Sequence, residues 1–351
     1  MNEQKKDFSE LLSAIESSLN GALPAVAKTE WITDSFGKLP EAITPDHFEN
    51  LITPNKNLIS LGGKRWRPLL LLLCYYMAKQ KHGEAALSEE QVLSITPLIE
   101  FVHTASLIHD DIEDSADLRR GKPSAHITFG LDTALNAGSW LYFEAPVCIN
   151  KLQVSIEMKL KLYEVYTNEL RRLHLGQAMD IYWHRNPDLF PSKEEYLAMV
   201  KNKTGTLASL AAKIGCVAGG MSTSDADKYG EIAANIGMGF QIIDDVINLT
   251  TGNVGKKRGD DIVEGKKSLP VLIHSELKPD DKEKIASFMA TAAKDGIDSI
   301  AVENCISLLE TSTCITDAAA QGTELIKTNC SLFNSEDIEK LFTAMIPEAF
   351  K

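Results

Sequence analysis

Apolar residues recur every three or four positions along most of this chain, which is the period of an amphipathic helix. The pattern is clear in KDFSELLSAIESSL near the start, in EMKLKLYEVYTNELRRLHLGQAMDIYW and in DIEKLFTAMI near the end. Strand-like alternation and Asn-Gly or Asp-Gly turns are nearly absent, and Pro and Gly cluster between the helical segments. The pattern therefore predicts an all-α fold.

No long flexible linker and no internal repeat divides the sequence. Apolar character continues from residue 58 to about residue 275, and the segment 276–351 is more polar but still helical in pattern. A chain of 351 residues is long enough for one large domain or two average ones. We predict one helical domain over residues 1–351, with more variable C-terminal helices over 276–351.

Composition narrows the class of protein. The chain is 44% hydrophobic and carries a net charge of −13, which argues against a non-specific nucleic-acid binder. Its six cysteines are scattered and form no CxxC pair, as expected of buried thiols in a reducing compartment. The N-terminus lacks a signal-peptide core, and the run PLLLLLCYYMA is too short to span a bilayer. These features predict a cytoplasmic protein without a transmembrane segment.

An unusual density of acidic residues follows the apolar segment PLIEFVHTASLI. On a helix, Asp110 and Asp114 lie one turn apart on one face, Asp111 lies a quarter-turn away, and His103 lies two turns before Asp110. A solvated acidic helix end is the simpler interpretation. Carboxylates one turn apart also suit Mg²⁺, which typically combines one or two carboxylates with substrate phosphate oxygens.

A second acidic pair favours the metal hypothesis. In GFQIIDDVINLTTG, Asp244 and Asp245 also follow an apolar helical stretch, and Gln241 lies one turn before them. Asn248 takes the position that matches Asp114. Two acidic clusters at the ends of separate apolar helices are expected to form facing walls of one cavity, which would hold several Mg²⁺ ions and a polyanion.

A polyanion also needs basic side chains, and four loop-like segments supply them. Each segment alone is most simply a solvated loop, but together with two acidic clusters they indicate a diphosphate site. The basic and hydroxyl groups are Lys64, Arg65, Arg67, Arg119, Arg120, Lys122, Lys203, Thr204, Lys256, Lys257, Arg258, Lys266 and Lys267. The chain has no GxxxxGK[ST] loop, strand-GxGxxG-helix unit, nucleophile elbow or HExxH motif.

Six ordered motifs resemble the trans-isoprenyl diphosphate synthases, the polyprenyl synthetase family. They are GGKRWRP, HTASLIHDDIEDSADLRRGKP, GQAMDIYW, KTGTL, GFQIIDDVIN and DIVEGKKSLP, and they cover about residues 58–275. The resemblance implies the isoprenoid synthase fold, a helical bundle around a central cavity, in a homodimer or higher homo-oligomer. It also implies a trans-prenyltransferase that condenses isopentenyl diphosphate with an allylic diphosphate.

The resemblance implies a role for each matching residue. Asp110, Asp111, Asp114, Asp244 and Asp245 would bind Mg²⁺, with three ions per site when substrate is present. Arg119, Lys203, Thr204, Gln241, Lys257 and Lys266 would contact the allylic diphosphate. Lys64, Arg67, His103 and Arg120 would bind isopentenyl diphosphate. Residues that would hold these side chains in place without contacting the substrate are Gln177, Asp180, Asn248 and Asp261. The chemistry would rest mainly on Asp110, Asp114, Lys203 and Asp244.

Small residues upstream of the first acidic cluster bear on product length. Val102 and Ala105 lie on one helical stripe that leads away from the acids, with Ser106 beside them. In this family an aromatic residue at or next to the Ala105 position tends to stop chain growth at the farnesyl stage. The small residues, together with Asn248 in place of an Asp, are most similar to geranylgeranyl diphosphate synthases. The aromatic residues Phe101, Trp140, Tyr142 and Phe143 would form the tunnel floor or simply pack in the core.

Several alternatives stay open from the sequence. The product could be farnesyl diphosphate or a longer C25–C35 chain. The chain could also be a non-catalytic regulatory subunit of a heteromeric prenyl synthase, although such subunits typically lose their Asp-rich motifs. A terpene cyclase of related architecture is disfavoured, because it has no second diphosphate substrate to occupy GGKRWRP, His103 and Arg120.

Overall fold

The computed structural model describes residues 7–252 and 257–350, and Lys256 lies outside them. The prediction of an all-α fold is confirmed. In order along the described residues, the helices are α1 Phe8–Ala22, α2 Thr29–Phe36, α3 Glu49–Ser60, α4 Trp66–His82, α5 Glu89–Ser94, α6 Pro97–Glu113, α7 Ala125–Phe129, α8 Leu131–Glu144, α9 Val147–Lys151, α10 Ile156–His184, α11 Lys193–Val200, α12 Thr206–Ala218, α13 Thr223–Thr250, α14 Asp260–Val263, α15 Leu269–Leu277, α16 Lys282–Asp295, α17 Ile300–Leu309, α18 Cys314–Leu332 and α19 Glu336–Met345.

The described residues divide into two compact units. The first unit runs to Thr167 and includes Leu210–Ala226, and the second comprises Asn168–Ser209 and the chain from Asp227 onward. Helices α10, α12 and α13 carry residues of both units. That the whole chain acts as one domain stays a prediction.

Local sequence explains where the first helices begin. Asp7 accepts a hydrogen bond from the Phe8 N–H, and Glu10 bonds back to the Asp7 N–H, so a capping box starts α1. In contrast α4 has no polar cap and follows Arg65, whose backbone is left-handed at φ +47°. Its run Pro68–Tyr75 is buried on every side, as expected of a helix that is apolar all round.

Helix α6 is the central element of the first unit. It packs against α8, α4 and α1, and α8 in turn packs against α3. Pro97 at the first turn has no N–H to leave unsatisfied, and the stripe of Leu98, Val102 and Ala105 is fully buried. The apolar stripe therefore faces the core, and the acidic residues come at the C-terminal end of the helix.

One segment of the described residues, Glu89–Glu113, is long and apolar enough to cross a membrane by length and composition alone. Buried core helices pass the same test, and 67% of the apolar window in this segment is buried inside the protein. It contains two helices, α5 and α6, and α6 makes the packing contacts of a core helix. We therefore interpret it as core.

The second unit has its own apolar core, contributed mainly by α11, α13 and α15–α18. Helices α13 and α18 approach closely where Gly239 meets Gly322, since a Cβ on Gly239 would lie 2.7 Å from the Gly322 carbonyl oxygen. The C-terminal part of this unit is helical and contains α16–α19. That these helices are more variable than the rest stays a prediction.

A short hairpin, which the sequence did not predict, follows α6. Strands β1 (Leu118–Arg119) and β2 (Lys122–Pro123) pair antiparallel. Arg120 and Gly121 between them both have positive φ, +52° and +73°, as a type I′ turn requires. Two-residue strands leave no alternating pattern to detect, so only the Arg-Gly pair signalled this turn.

Candidate active site

The first acidic cluster lies at the C-terminal end of α6. Asp110 and Asp111 are in its last turn and Asp114 is its C-cap, while no basic residue occupies that turn. The negative end of the helix dipole disfavours carboxylates at this position by a few tenths of a kcal/mol or more each. The fold therefore concentrates negative potential here, as a cation site requires.

Arg119 from β1 holds two of these carboxylates together. Its Nε donates to Asp111 Oδ1 at 2.7 Å, and its Nη2 contacts the same oxygen and Asp110 Oδ2, the latter at 3.3 Å. The Asp111 side chain is only 1% exposed, whereas that of Asp110 is 19% exposed. Asp111 is therefore held inside the protein, and Asp110 is the more accessible carboxylate of the two.

The donor set fits a divalent metal that is completed by substrate. Among residues 7–252 and 257–350, no three His, Cys, Asp or Glu side chains gather as a ready-made metal site. Carboxylate oxygens one helical turn apart are hard donors, and Mg²⁺ usually takes its remaining ligands from water and phosphate. The chain supplies part of such a coordination shell, and a diphosphate would supply the rest.

The structure brings together three of the four residues expected to bind isopentenyl diphosphate. Arg67 Nη1 lies 3.4 Å from His103 Nε2. Arg120 bonds to the carbonyl of Gly62, in the loop that leads to α4. Lys64 is exposed in the same loop. The GGKRWRP motif and the hairpin arginine therefore belong to one basic surface of the first unit.

Burial lowers the pKa of both Arg67 and His103, which contact each other. It lowers the pKa of Arg67 to about 10, against the opposing charge of Glu100. It also lowers the pKa of His103, with the Arg67 charge acting in the same direction. At neutral pH His103 is therefore uncharged, and Arg67 keeps its charge.

The two residues of the second acidic pair have different environments. Asp244 is exposed on α13, whereas Asp245 is buried. Asp245 Oδ2 accepts hydrogen bonds from the Tyr196 hydroxyl at 2.5 Å and the Leu269 N–H at 3.4 Å, and its Oδ1 accepts one from Gln241 at 3.1 Å. Burial raises the pKa of Asp245 to about 6 despite these bonds. Asp244 is thus the accessible carboxylate of the pair, and Asp245 lies inside a hydrogen-bond network.

Asn248 uses its side chain inside the protein. It is 2% exposed, and its Oδ1 accepts a hydrogen bond from the Asp261 N–H at 3.3 Å, at the start of α14. Its carbonyl accepts another from the Gly259 N–H at 2.8 Å. The structure therefore joins Asn248 and Asp261, two expected supporting residues, and gives Asn248 a structural partner.

Three of the expected allylic-diphosphate residues are assembled around a π-helical turn, Lys201–Gly205. Lys203 pairs with the buried Asp180 at 2.6 Å. The Thr204 hydroxyl donates to Gln241 Oε1 at 3.0 Å, and Gln241 continues to Asp245. A chain of hydrogen bonds therefore links the KTG motif to the second acidic pair within this unit.

Glycines allow the backbone around Lys203 to pack closely. A Cβ on Gly176 of α10 would lie 2.2 Å from the Lys203 nitrogen, and one on Gly205 would lie 2.6 Å from the Ala234 carbonyl oxygen of α13. No larger residue fits without a backbone shift. Gly176 of GQAMD and Gly205 of KTG thus determine the backbone position of Lys203 and Thr204.

The other expected residues lie in more varied settings. Lys257 is largely exposed and pairs with Asp298 at 2.6 Å, and Lys266 pairs with Glu264. Gln177 is half-buried on α10. The structure thus occupies both lysines with acidic partners, and their contact with a diphosphate stays a prediction.

The chain-length positions lie on the buried side of α6. Val102 and Ala105 are fully buried, and the Ser106 hydroxyl donates to the His103 carbonyl at 2.8 Å. Nearby, His109 stacks on Tyr142 of α8, with ring centroids 5.4 Å apart.

One aromatic expectation is wrong. Phe143 is 78% exposed, so it is neither a floor nor a core residue of its unit. Position 143 follows the buried Tyr142 on α8, and consecutive helical residues point about 100° apart.

Sequence reasoning missed Tyr196 and Glu100, and it did not distinguish Arg65 from the exposed basic residues. Tyr196 holds Asp245, and Arg65 is bound by Glu100. Arg65 stood in a recognised motif, but nothing in its spacing separated a buried Arg from the exposed Lys64 beside it. A Glu inside the apolar stretch PLIEFV was the available signal for Glu100, because a charge there needs a partner.

Comparisons with known proteins identify relatives of this chain. A geranylgeranyl pyrophosphate synthase of Gibberella zeae is 39% identical over 231 residues, which is 65% of this chain and 58% of that protein. The match thus spans less than two thirds of that relative's length. The structure of the geranylgeranyl pyrophosphate synthetase from Pyrococcus horikoshii superposes with a TM-score of 0.77 at 25% identity and covers 97% of this chain and 98% of that one.

A polyprenyl synthase from Caulobacter crescentus, solved with calcium and isoprenyl diphosphate, has the same fold. It superposes with a TM-score of 0.70 at 24% identity, and covers 97% of this chain and 96% of that one. The polyprenyl synthetase family model matches residues 48–308. That match covers well over half of the sequence, and it includes both acidic pairs and all four basic segments. This chain belongs to the polyprenyl synthetase family.

Proposed function

We propose that the protein is a prenyltransferase that joins isopentenyl diphosphate to an allylic diphosphate and makes geranylgeranyl diphosphate. The observation that carries the proposal is the end of α6, where Arg119 gathers Asp110 and Asp111. The next residue, Arg120, bonds to the Gly62 carbonyl beside Arg67 and His103. Two consecutive residues, Arg119 and Arg120, thus connect to an acidic cluster suited to a metal ion and to a basic cluster suited to a phosphate.

Asp110 and Asp114 are proposed to bind Mg²⁺ with Asp111 orienting them, and Asp244 is proposed to bind Mg²⁺ with Asp245 beside it. The family resemblance implies three ions when substrate is bound. When bound, Mg²⁺ would neutralise the charge that develops on the leaving diphosphate. The exposed Asp244 and the partly exposed Asp110 present oxygens to solvent, as ligands of a substrate-bridged ion must. Calcium in the Caulobacter crescentus relative supports the general use of a divalent ion.

The protein's own residues would bind and orient the two substrates. Lys203, Thr204 and Gln241 would hold the allylic diphosphate while its carbon–oxygen bond breaks and pyrophosphate leaves. Lys257 would leave its ion pair with Asp298, and Lys266 its ion pair with Glu264, to contact the same diphosphate.

Lys64, Arg67, His103 and Arg120 would hold isopentenyl diphosphate so that its double bond attacks the allylic cation. The new carbon–carbon bond leaves a positive charge on the adjacent carbon. A proton then leaves, and the departed pyrophosphate accepts it. Water must be excluded until then, because it would quench the cation.

The C20 product is proposed from the small side chains of Ala105 and Ser106 and from the relatives. The Gibberella zeae and Pyrococcus horikoshii proteins both carry the name geranylgeranyl pyrophosphate synthase or synthetase. Val102, Ala105 and Ser106 offer no bulk next to the acidic end of α6. Product length would then be limited farther along the helix.

A homodimer is proposed from an apolar surface of the first unit. Four side chains on α7 and α8 are exposed to 45% or more: Ile127, Leu131, Leu135 and Phe143. Exposed apolar side chains on neighbouring helices are unfavourable in water, and such groups commonly mark a protein interface. Light scattering of the purified protein tests this, and a Phe143→Glu variant should favour the monomer.

A cytoplasmic location is proposed from the thiols. All six cysteines are free, and five of them are buried. Burial raises the pKa of the Cys148, Cys305 and Cys330 thiols to about 12, which keeps them protonated and unreactive. Free thiols are typical of a reducing compartment.

The deciding experiment supplies the purified chain with isopentenyl diphosphate, Mg²⁺ and each allylic primer from C5 to C20. Mass spectrometry of the products should give geranylgeranyl diphosphate as the main species. No turnover by the chain alone would favour a regulatory subunit. Turnover of an allylic diphosphate without isopentenyl diphosphate would favour a cyclase.

A further inference from the structure

The loop before α4 has an unusual backbone. Gly62 and Gly63 have φ of +82° and +149°, and Arg65 has φ of +47°. A non-glycine residue in the left-handed region costs about 1–2 kcal/mol unless its surroundings compensate. The loop therefore needs a specific set of contacts to keep this shape.

The Arg65 side chain supplies those contacts. Its guanidinium donates to Glu100 at 2.7 Å, to Glu16 of α1 at 2.7 Å and to the Ile59 carbonyl at 2.6 Å. A fourth bond reaches the Gly62 carbonyl at 3.3 Å. The Arg65 and Glu100 side chains are 3% and 4% exposed, so this is a buried ion pair with its hydrogen bonds well satisfied.

Glu100 connects this pair to the proposed substrate residues. Its Oε1 also lies 3.4 Å from His103 Nδ1. Because Arg67 can only donate, His103 Nε2 accepts from it and Nδ1 carries the proton toward Glu100. Burial opposes ionisation of Glu100, but its hydrogen bond with His103 and the charges of Arg65 and Arg67 lower its pKa to about 2. Glu100 therefore selects the tautomer and orientation of His103.

Arg65 also shares an acceptor with Arg120. Both guanidinium groups bond to the Gly62 carbonyl. A Cβ on Gly63 would lie 3.2 Å from Arg120 Nη2 and 3.4 Å from Arg65 Nη1, so the two groups flank this glycine. Moving Arg65 would therefore move the loop that Arg120 rests on.

We infer that Arg65 and Glu100 are positioning residues for isopentenyl diphosphate, which hold Arg67, His103 and Arg120 in the arrangement that receives its phosphates. This inference rests on the proposed function. Neither residue contacts the substrate; both act through the loop and through His103. Glu16 couples α1 to the same loop, so the N-terminal helix contributes to this half of the site.

The test compares Glu100→Gln and Arg65→Lys with the wild-type chain. Both changes keep the approximate size of the side chain. Glu100→Gln removes the negative charge, and Arg65→Lys removes the forked hydrogen-bond donors of the guanidinium group. We expect the Kd of isopentenyl diphosphate, by calorimetry on the full chain, and its KM to rise by about tenfold or more. The KM of the allylic diphosphate should stay within about twofold. Glu16→Gln, at the half-exposed partner, should give a smaller rise in the same parameter.

Two controls separate positioning from general stability. Glu157→Gln breaks an exposed pair with Lys161 on α10 and should change neither KM. The double variant Arg65→Met with Glu100→Met replaces the pair by apolar groups, so its melting temperature should recover toward wild type while its isopentenyl diphosphate affinity stays low.

Three results would overturn the inference: an unchanged Kd in a folded Glu100→Gln variant, equal rises in both KM values, or wild-type affinity in the double variant. If the wild-type chain itself failed to bind isopentenyl diphosphate, the proposed function would fall, and the inference with it.

Discussion

The Tyr196 hydroxyl donates a hydrogen bond to Asp245 across 2.5 Å inside the second unit. Tyr196 is 2% exposed, and burial together with the Asp245 charge raises its pKa well above the usual value, so it remains a donor at any working pH. This bond, with those from Gln241 and Leu269, fixes Asp245 and thereby the rotation of α13 that exposes Asp244.

Removing the Tyr196 hydroxyl should weaken use of the metal. Tyr196→Phe keeps the ring and leaves one Asp245 oxygen without its closest donor, at a cost of roughly 1–3 kcal/mol. We expect the Mg²⁺ concentration for half-maximal turnover to rise roughly fivefold or more, measured at saturating substrates. Tyr182→Phe, at a 59% exposed position, is the matched control and should leave this concentration unchanged. A normal Mg²⁺ response in Tyr196→Phe would show that Asp245 is held well enough without it.

Asp110 should be the most sensitive single position of the first cluster. Asp110→Asn removes an accessible carboxylate charge while keeping the shape of the side chain. Turnover should fall by roughly a hundredfold or more, because stabilisation of the leaving group is lost. Circular dichroism should show an unchanged helix content. Asp117→Asn, an exposed neighbour, provides the comparison. Near-normal turnover of Asp110→Asn would exclude a metal-binding role.

Bulk at Ala105 should shorten the product. Ala105→Tyr places a phenol at a fully buried point of α6, five residues before Asp110, at an overpacking cost of about 1–3 kcal/mol. The main product should move from C20 toward C15, read by mass spectrometry, and Ala105→Val should produce a smaller shift. An unchanged product distribution in a folded Tyr variant would mean that the chain grows along another path.

Glu144 should make stability depend on pH outside the proposed site. Burial raises its pKa from 4.5 to about 7, while the Ser35 hydrogen bond and the Lys151 charge act in the opposite direction. The folded state thus prefers the protonated acid, so stability falls as pH rises from about 4.5 to about 7 and stays lower above that.

Glu144→Gln should remove this dependence. The free energy of unfolding at pH 8 should rise by roughly 1–3 kcal/mol relative to wild type, with little difference at pH 4.5. Thermal melts of both proteins at the two pH values measure it. The exposed Glu49→Gln serves as a control. Equal shifts at both pH values would mean that the introduced amide merely packs better than the carboxyl group of Glu144.

Much of the fold could be predicted because helical periodicity is strong wherever one face is buried. The segments around α1, α6, α10, α13 and α19 all became helices, and the buried Leu98, Val102 and Ala105 stripe follows directly from their spacing. Site residues were found through charge density and ordered motifs. Their contacts were brought close only by folding, as when Arg65 meets Glu100, 35 positions away.

The missed features share a physical reason. The hairpin at Arg120 and Gly121 depends on two backbone torsions, and the π-helical turn at Lys201–Gly205 depends on packing against α10 and α13. Neither leaves a periodic trace. The exposure of Phe143 likewise follows from the register of α8 and not from its hydrophobicity.

The contact between Gly176 and the backbone of Lys203 limits which sequence segments can be exchanged between relatives. Because the backbone of the KTG turn rests directly on α10 at Gly176 and on α13 at Ala234, these three segments can be exchanged between relatives only as a set. A donor sequence with a larger residue at position 176 would displace the turn however faithfully it reproduced Lys203 and Thr204. Gly176, whose side chain is a single hydrogen atom, is therefore a residue that a graft must keep unchanged.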